Sequence, residues 1–233
     1  MGLAARGAGV NRFFVDSLAA ERIPLPAAVA HHVRRVLRLK DGEQVVLVAA
    51  GSEALCRLDG DSCVVEERRP SAGEARHRLT VCQALLKGDH LEQVIQQGTE
   101  IGVARFRLFV SGRCIARELS EHRLERLRAI ARESAEQSER GIIPPVDAPV
   151  SLADVLDPLS VLLYERHAGE RLSAIEPPAS VVIGPEGGFT PDEVAAAERA
   201  GAVLAGLGPR ILRSRSVAAA VAAVVLSRTG DFA

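Results

Sequence analysis

Val181-Val182-Ile183-Gly184-Pro185-Glu186-Gly187-Gly188-Phe189-Thr190-Pro191-Asp192-Glu193 is the stretch whose reading decides the fold. A β-branched apolar run stops at a glycine and two more glycines follow. Thr190, Pro191, Asp192 and Glu193 then supply a cap, a first-turn proline and two acids for a helix start. The pattern predicts a buried strand, a loop that exposes its backbone, and a helix N-terminus. Glycines in such a loop admit a ligand close to the main chain, and the helix leaves unpaired N–H groups facing it. The same residues also suit an ordinary tight βα connection.

A second stretch bears on that choice. Gly201 to Arg213 is another short apolar strand ending in Gly206-Leu207-Gly208-Pro209, followed by Ser214-Arg215-Ser216 and a long Ala/Val helix. In an open α/β sheet, ligands bind beyond the carboxyl ends of the strands, so two such loops side by side would form a pocket built mainly of backbone. Upstream, Leu79 to Leu85, Phe106 to Val110 and Val161 to Tyr164 read as further strands. Helices are predicted after Gly88-Asp89, carrying Leu91, Val94, Ile95 and Ile101, and over Glu121 to Glu139, with Leu124, Leu127, Ile130 and Ala131 inward. This alternation predicts a mostly parallel sheet with helices on both faces.

Before residue 70 the period differs. Phe13-Phe14-Val15, Gln44 to Ala49, Ala54 to Asp59 and Ser62 to Glu67 read as short strands. Pro26 opens a helical pattern with Val29, Val33, Val36 and Leu37 on one face. Around that helix stand His31, His32, Arg34, Arg35, Arg38 and Lys40, a group that suits RNA-backbone contact but also an ordinary solvated face. Arg68 to Ala75, polar and lacking periodicity, is read as a linker between domains at 1–70 and 76–233.

The chain has 233 residues, 47% hydrophobic and 25% charged, with a net charge of -1, so it reads as globular and any nucleic acid must be held by local patches. Only Lys40 and Lys87 among the 29 basic residues are lysines, which by itself is no evidence for phosphate binding. Cys56, Cys63, Cys82 and Cys114 lack C-x-x-C spacing, which predicts reduced structural thiols and no metal site. Met1 to Val10 has no apolar signal core, and Val217 to Leu226 is too short to span a bilayer. A soluble, cytoplasmic protein is expected.

Five motifs in order carry a resemblance. They are His32-Val33-Arg34-Arg35-Val36-Leu37-Arg38; Leu86-Lys87-Gly88-Asp89 with Thr99-Glu100-Ile101-Gly102-Val103; Glu136-Gln137-Ser138-Glu139-Arg140 with Pro144; Ile183 to Phe189; and Leu207-Gly208-Pro209-Arg210-Ile211-Leu212-Arg213. Together they resemble the RsmE family of 16S ribosomal RNA methyltransferases, which modify N3 of a uridine and belong to the SPOUT superfamily. The resemblance implies an α/β fold: a C-terminal trefoil-knot domain, an exception to the unknotted rule, preceded by a small PUA-like β-barrel for RNA. It implies S-adenosyl-L-methionine as methyl donor, 16S rRNA or the small ribosomal subunit as partner, and a homodimer. Carried over by position, the cofactor residues are Leu163, Tyr164, Gly184, Pro185, Glu186, Gly187, Gly188, Leu207, Gly208, Ile211 and Leu212.

The sequence departs from the family where it commonly reads Thr-Glu-Thr-Ala; here stand Ser214-Arg215-Ser216-Val217, whose hydroxyls preserve a possible helix cap while Arg215 reverses a charge. Gly98 inside a helix and Gly112, where an acid is common, depart more weakly. Methyl transfer to a uracil nitrogen needs alignment, loss of the imide proton and stabilisation of the uridinate. Arg213 is the candidate for anion stabilisation and Glu186 for the loop acid, although Arg213 also suits phosphate binding and Glu186 also suits holding its own loop. Arg34, Arg35, Arg38 and Arg215 are the candidates for RNA contact. The alternatives are methylation elsewhere on RNA, such as a ribose 2'-hydroxyl, and a catalytically weak ribosome-binding factor. A nicotinamide oxidoreductase is disfavoured because no G-x-G-x-x-G opens the first βα unit.

Overall fold

The computed structural model describes residues 10–165 and 169–232. Met1 to Gly9, part of the stretch read for a signal core, lie outside the described residues. The chain divides into two compact units, residues 1–74 with 136–142, and residues 75–135 with 143–233.

The first unit contains a five-stranded sheet in the order β1-β3-β4-β5-β2, formed by β1 (Arg12–Phe14), β2 (Arg22–Pro24), β3 (Gln44–Ala49), β4 (Ser52–Asp59) and β5 (Ser62–Pro70). Period-two alternation in β4 turns Ala54, Cys56 and Leu58 into a core shared with Phe13, Ile23, Val33, Val45 and Leu47, while Arg57 and Asp59 face out. Each large apolar side chain buried there contributes about 1.5–3 kcal/mol.

The helix after Pro26 differs from the expectation. Helix α1 (Ala27–His31) runs into a π-helical turn at His32–Val36, closed by Leu37 N–H to His32 C=O at 2.9 Å. The extra residue per turn rotates the register, so Val33 is fully buried while Val36, expected inward, is 59% exposed.

The stretch read as a linker is in part structured. β5 continues to Pro70 because Arg69 pairs across the sheet with Glu53, at 2.6 Å, and Arg12 grips the same buried carboxylate at 2.7 Å. Beyond it, Glu74 binds the buried guanidinium of Arg140 at 2.7 Å and accepts the N–H groups of Gly141 and Ile142, each at 3.0 Å. The Glu136 to Arg140 motif is thereby fastened into the first unit, which the expected division at residues 70–76 had placed in the second.

The second unit is built on a six-stranded sheet whose described pairings are all parallel, in the order β11-β9-β10-β6-β7-β8. Its strands are β6 (Thr80–Ala84), β7 (Arg105–Val110), β8 (Val146–Ser151), β9 (Ser160–Leu163), β10 (Ser180–Ile183) and β11 (Val203–Ala205). β9 and β10 are buried at every residue, as strands covered on both faces must be. Helix α2 (His90–Ile101) packs against α5 (Ser214–Arg228), and α3 (Glu121–Gln137) buries Leu124, Leu127 and Ala131. Gly102, left-handed at φ 112, closes α2 by donating to Gly98 and Thr99. No described helix is long and apolar enough to cross a membrane. All four cysteines are buried and free; burial pushes Cys56 up to about 11 and Cys63 and Cys82 up to about 12, so they stay protonated.

Candidate active site

β9, β10 and β11 lie at one end of the sheet, so the loops leaving their carboxyl ends meet. They enclose a cavity of about 330 Å³. Every residue assigned above to the cofactor loops lines it: Leu163 at the end of β9 with Tyr164 after it, Gly184 to Gly188 after β10, and Leu207, Gly208, Ile211 and Leu212 after β11. Glu165, Phe189, Arg210, Ser214 and Val217 complete much of the wall. Ile211 is 82% exposed at its rim, apolar surface that a bound ligand would cover.

The glycine loop is shaped by its surroundings. Gly188 has φ +67, a backbone that side-chain-bearing residues rarely adopt; a Cβ there would also stand 2.8 Å from Glu165 Oε1, the movable end of a flexible side chain, so it is the backbone that calls for glycine. Gly187 has no such backbone need; a Cβ would stand 3.1 Å from the Cβ of Arg113, whose guanidinium lies across the loop and donates to Gly187 C=O at 3.0 Å. Phe189 ends the loop in the core, its ring stacked near-parallel on Phe109 with centroids 6.4 Å apart.

The predicted helix start is present. Thr190 caps α4 (Pro191–Arg199) in a reciprocal capping box with Glu193, and Pro191 opens the first turn. Glu193 does more than cap: Oε2 accepts Thr190 N–H at 2.8 Å, while Oε1 accepts Gly112 N–H at 2.7 Å and the Ser111 hydroxyl at 2.9 Å. Burial raises the Glu193 pKa, but these donors outweigh it and hold the carboxyl below its ordinary value.

Glu186 lies in the cavity wall, yet its carboxylate is engaged elsewhere. Oε1 accepts Lys87 N–H at 3.2 Å and faces His90 Nδ1 at 3.0 Å, tying the glycine loop to the turn after β6. Partial burial raises its pKa, and its own N–H, His90 and Lys87 N–H together bring it below the ordinary range. A carboxylate so held is a weak proton acceptor, and its geometry is that of a loop brace.

These features coincide with what is found in known proteins. Residues 73–226 match the family model described as an RNA methyltransferase domain, and residues 25–68 match one described as an RNA methyltransferase PUA domain. The chain belongs to this RNA methyltransferase family. It is 37% identical over 243 residues to the ribosomal RNA small subunit methyltransferase E of Mycobacterium bovis, covering 90% of this chain and 88% of that protein. The Bacillus subtilis protein of the same name is 33% identical over 210 residues, covering 80% and 82%. A crystal structure of the Neisseria gonorrhoeae methyltransferase E bound to S-adenosyl methionine superposes with a TM-score of 0.85 at 27% identity, covering 96% of this chain and 100% of that one. The architecture is that of the family: a PUA-like domain followed by a SPOUT α/β methyltransferase domain.

Other sequence candidates lie outside the cavity wall. Arg213 is exposed and occupies the N-cap position of α5, with extended backbone at ψ 139 and no side-chain cap bond. The cap expected from Ser214 and Ser216 does not form; Ser214 is already the first helical residue, and it lines the cavity instead. Arg215 follows, partly buried, in the first turn. In the first unit, Arg34 donates to Leu39 C=O at 2.9 Å and also binds Asp41 and Gly60 C=O, so its guanidinium ties the π-helical turn to the β4–β5 turn. Arg35 and Arg38 are exposed. Sequence reasoning missed Arg113, Glu165, Arg210 and the second role of Glu193. Arg210 alone carried a local signal, lying within the last motif.

Proposed function

We propose that the protein transfers a methyl group from S-adenosylmethionine to N3 of a uridine in 16S ribosomal RNA of the small subunit. What carries this reading is the cavity gathered from three adjacent strand ends, with backbone from two glycine-bearing loops, an apolar rim at Ile211 and Leu212 and two carboxylate residues in its wall, Glu165 and Glu186. That mixture suits a ligand with a planar ring and a positive charge. S-adenosylmethionine, when bound, supplies an electrophilic methyl on a sulfonium sulfur. Gly184 to Gly188 and Leu207 to Leu212 hold and orient it, and Ile211 and Leu212 exclude water. Arg213, exposed beside the cavity-lining Ser214, stabilises the uridinate formed when the imide gives its proton to solvent water. Glu186 keeps the glycine loop in place.

RNA is held by Arg35 and Arg38 on the first unit and by Arg215 on the second, with Arg34 acting through the fold of its turn. The protein works as a homodimer in the cytoplasm, where its ribosomal substrate is.

Incubation with small-subunit rRNA and S-adenosylmethionine, followed by mass spectrometry of the nucleosides, is expected to yield 3-methyluridine. A ribose-methylated nucleoside would replace the site of transfer, and RNA binding without methylation would favour a binding factor. Arg213→Ala is expected to lower kcat by about a hundredfold, in the range for loss of one anion-stabilising group. Glu186→Gln is expected to weaken cofactor affinity more than kcat.

A further inference from the structure

The loop after β7, residues 111–117, takes no part in the reaction as proposed, yet it is braced at several points beside the cavity. Glu193 takes its first hydroxyl and its next N–H. Cys114, 5% exposed, anchors it in the core, with Ser111 N–H donating to Cys114 Sγ at 3.2 Å and Cys114 N–H to Ser111 C=O at 3.1 Å. Arg113 lies over Gly187 of the cavity wall, and Arg117 donates to Gly112 C=O at 2.8 Å.

This bracing displays an unusual set of side chains. Ile115 is 72% exposed beside a buried anchor, with an exposed arginine two residues to either side. A solitary exposed isoleucine is unremarkable on a surface; one held out between two cations, next to a cavity, has a setting that suits nucleic acid. Each guanidinium spends one N–H on a carbonyl, and the group has five, so both retain donors for phosphate oxygens. A uracil nitrogen on the pairing edge reaches a cavity only if its base leaves the stack, and an apolar side chain inserted between base steps is one known way for a protein to unstack them.

We propose that residues 111–117 form the RNA-side lip of the site. Arg113 and Arg117 take backbone phosphates flanking the target nucleotide, and Ile115 fills the space the target base vacates as it turns toward the cavity. Because Arg113 also holds Gly187, arriving RNA bears directly on the cofactor loop. The inference rests on the methyltransferase reading above and names how that site takes its substrate.

The test uses the full chain with small-subunit rRNA. Arg117→Ala, which leaves the glycine loop untouched, is expected to raise the KM for RNA about fivefold or more and to lower the slope of log affinity against log salt by about one, with S-adenosylmethionine affinity held within about twofold. Ile115→Ala is expected to lower kcat about tenfold with little change in either affinity, and Ile115→Leu to restore it. An unchanged salt slope in the first variant, or an unchanged kcat in the second, would overturn the proposal. So would activity lost only in step with cofactor affinity, which would make the loop a brace alone. Wild-type protein that binds S-adenosylmethionine but methylates no rRNA would instead overturn the underlying reading, and this inference with it.

Discussion

Arg38 holds its backbone at φ 58, in the left-handed region where a Cβ crowds the carbonyl and glycine rests without strain. A chain that keeps arginine at such a position accepts a cost of about 1 kcal/mol or more, and positions of this kind concentrate where a side chain must be aimed. Arg38→Gly is therefore expected to leave thermal stability equal or slightly raised while weakening RNA binding, a split that melting curves and RNA titration read separately. A fall in stability with RNA affinity intact would make Arg38 a structural residue like Arg34. Single residues are legible in sequence only so far as their neighbours in the chain decide their role. Both stand in one basic motif, but what separates them is tertiary: Asp41 and the Gly60 carbonyl lie within reach of one guanidinium and not the other. Gly98 makes the same point. As a local choice it weakens a helix, yet a Cβ there would meet the Phe106 ring at 2.7 Å, so the glycine serves the packing of α2 on β7.

Elements with strong local grammar were legible. β10, the glycine loop and the start of α4 follow from β-branching, glycine and a Thr-Pro-x-Glu cap, interactions that span a few residues of one chain segment. β8 was not legible, because Pro149 within it and Pro145 just before it mimic a loop and only its edge position beside β7 makes it a strand. The π-helical turn was illegible for a similar reason: the heptad-like spacing of Val29, Val33 and Val36 is that of an ordinary helix, and the burial of Val33 alone leaves room for the extra residue. The capping box is the element whose energetics can be tested by pH. Glu193 has a folded pKa below the 4.5 of a free glutamate, so its stabilisation is complete above that value and is lost as pH falls through the depressed folded value. Glu193→Gln is expected to cost about 1–3 kcal/mol at neutral pH. That difference from wild type should shrink in acid, where the wild-type carboxylate is protonated too. Unfolding measured on both proteins from about pH 7 down to about pH 3 checks this, and a difference that stays constant across the range would remove Glu193 from the pH response.

At the scale of the whole molecule, a net charge of -1 leaves association to shape and local charge, and α5 is where shape points to a second copy. A helix docked within its own domain needs one apolar stripe, and α5 has it in Ala218, Val221, Ala222, Val225 and Leu226, spaced three and four apart. Its flank is apolar as well: Ala219, Ala220 and Ala223 are only partly buried, where a solvated helix would carry charges. Small side chains let another helix approach closely, and a twofold axis through such a flank would satisfy both copies with one patch. The same helix supplies Ser214 and Val217 to the cavity wall, so pairing through α5 would also steady the site. In a twofold interface each substitution acts twice; a bulky charge costing about 2 kcal/mol per copy costs about 4 in all, or roughly a thousandfold in the dimer constant. Ala220→Arg is accordingly expected to convert a dimer to monomer at micromolar concentration in sedimentation, with folding intact by circular dichroism and cofactor affinity reduced. A wild-type protein that sediments only as monomer would exclude the arrangement, and a variant that stays dimeric would place the interface away from this flank.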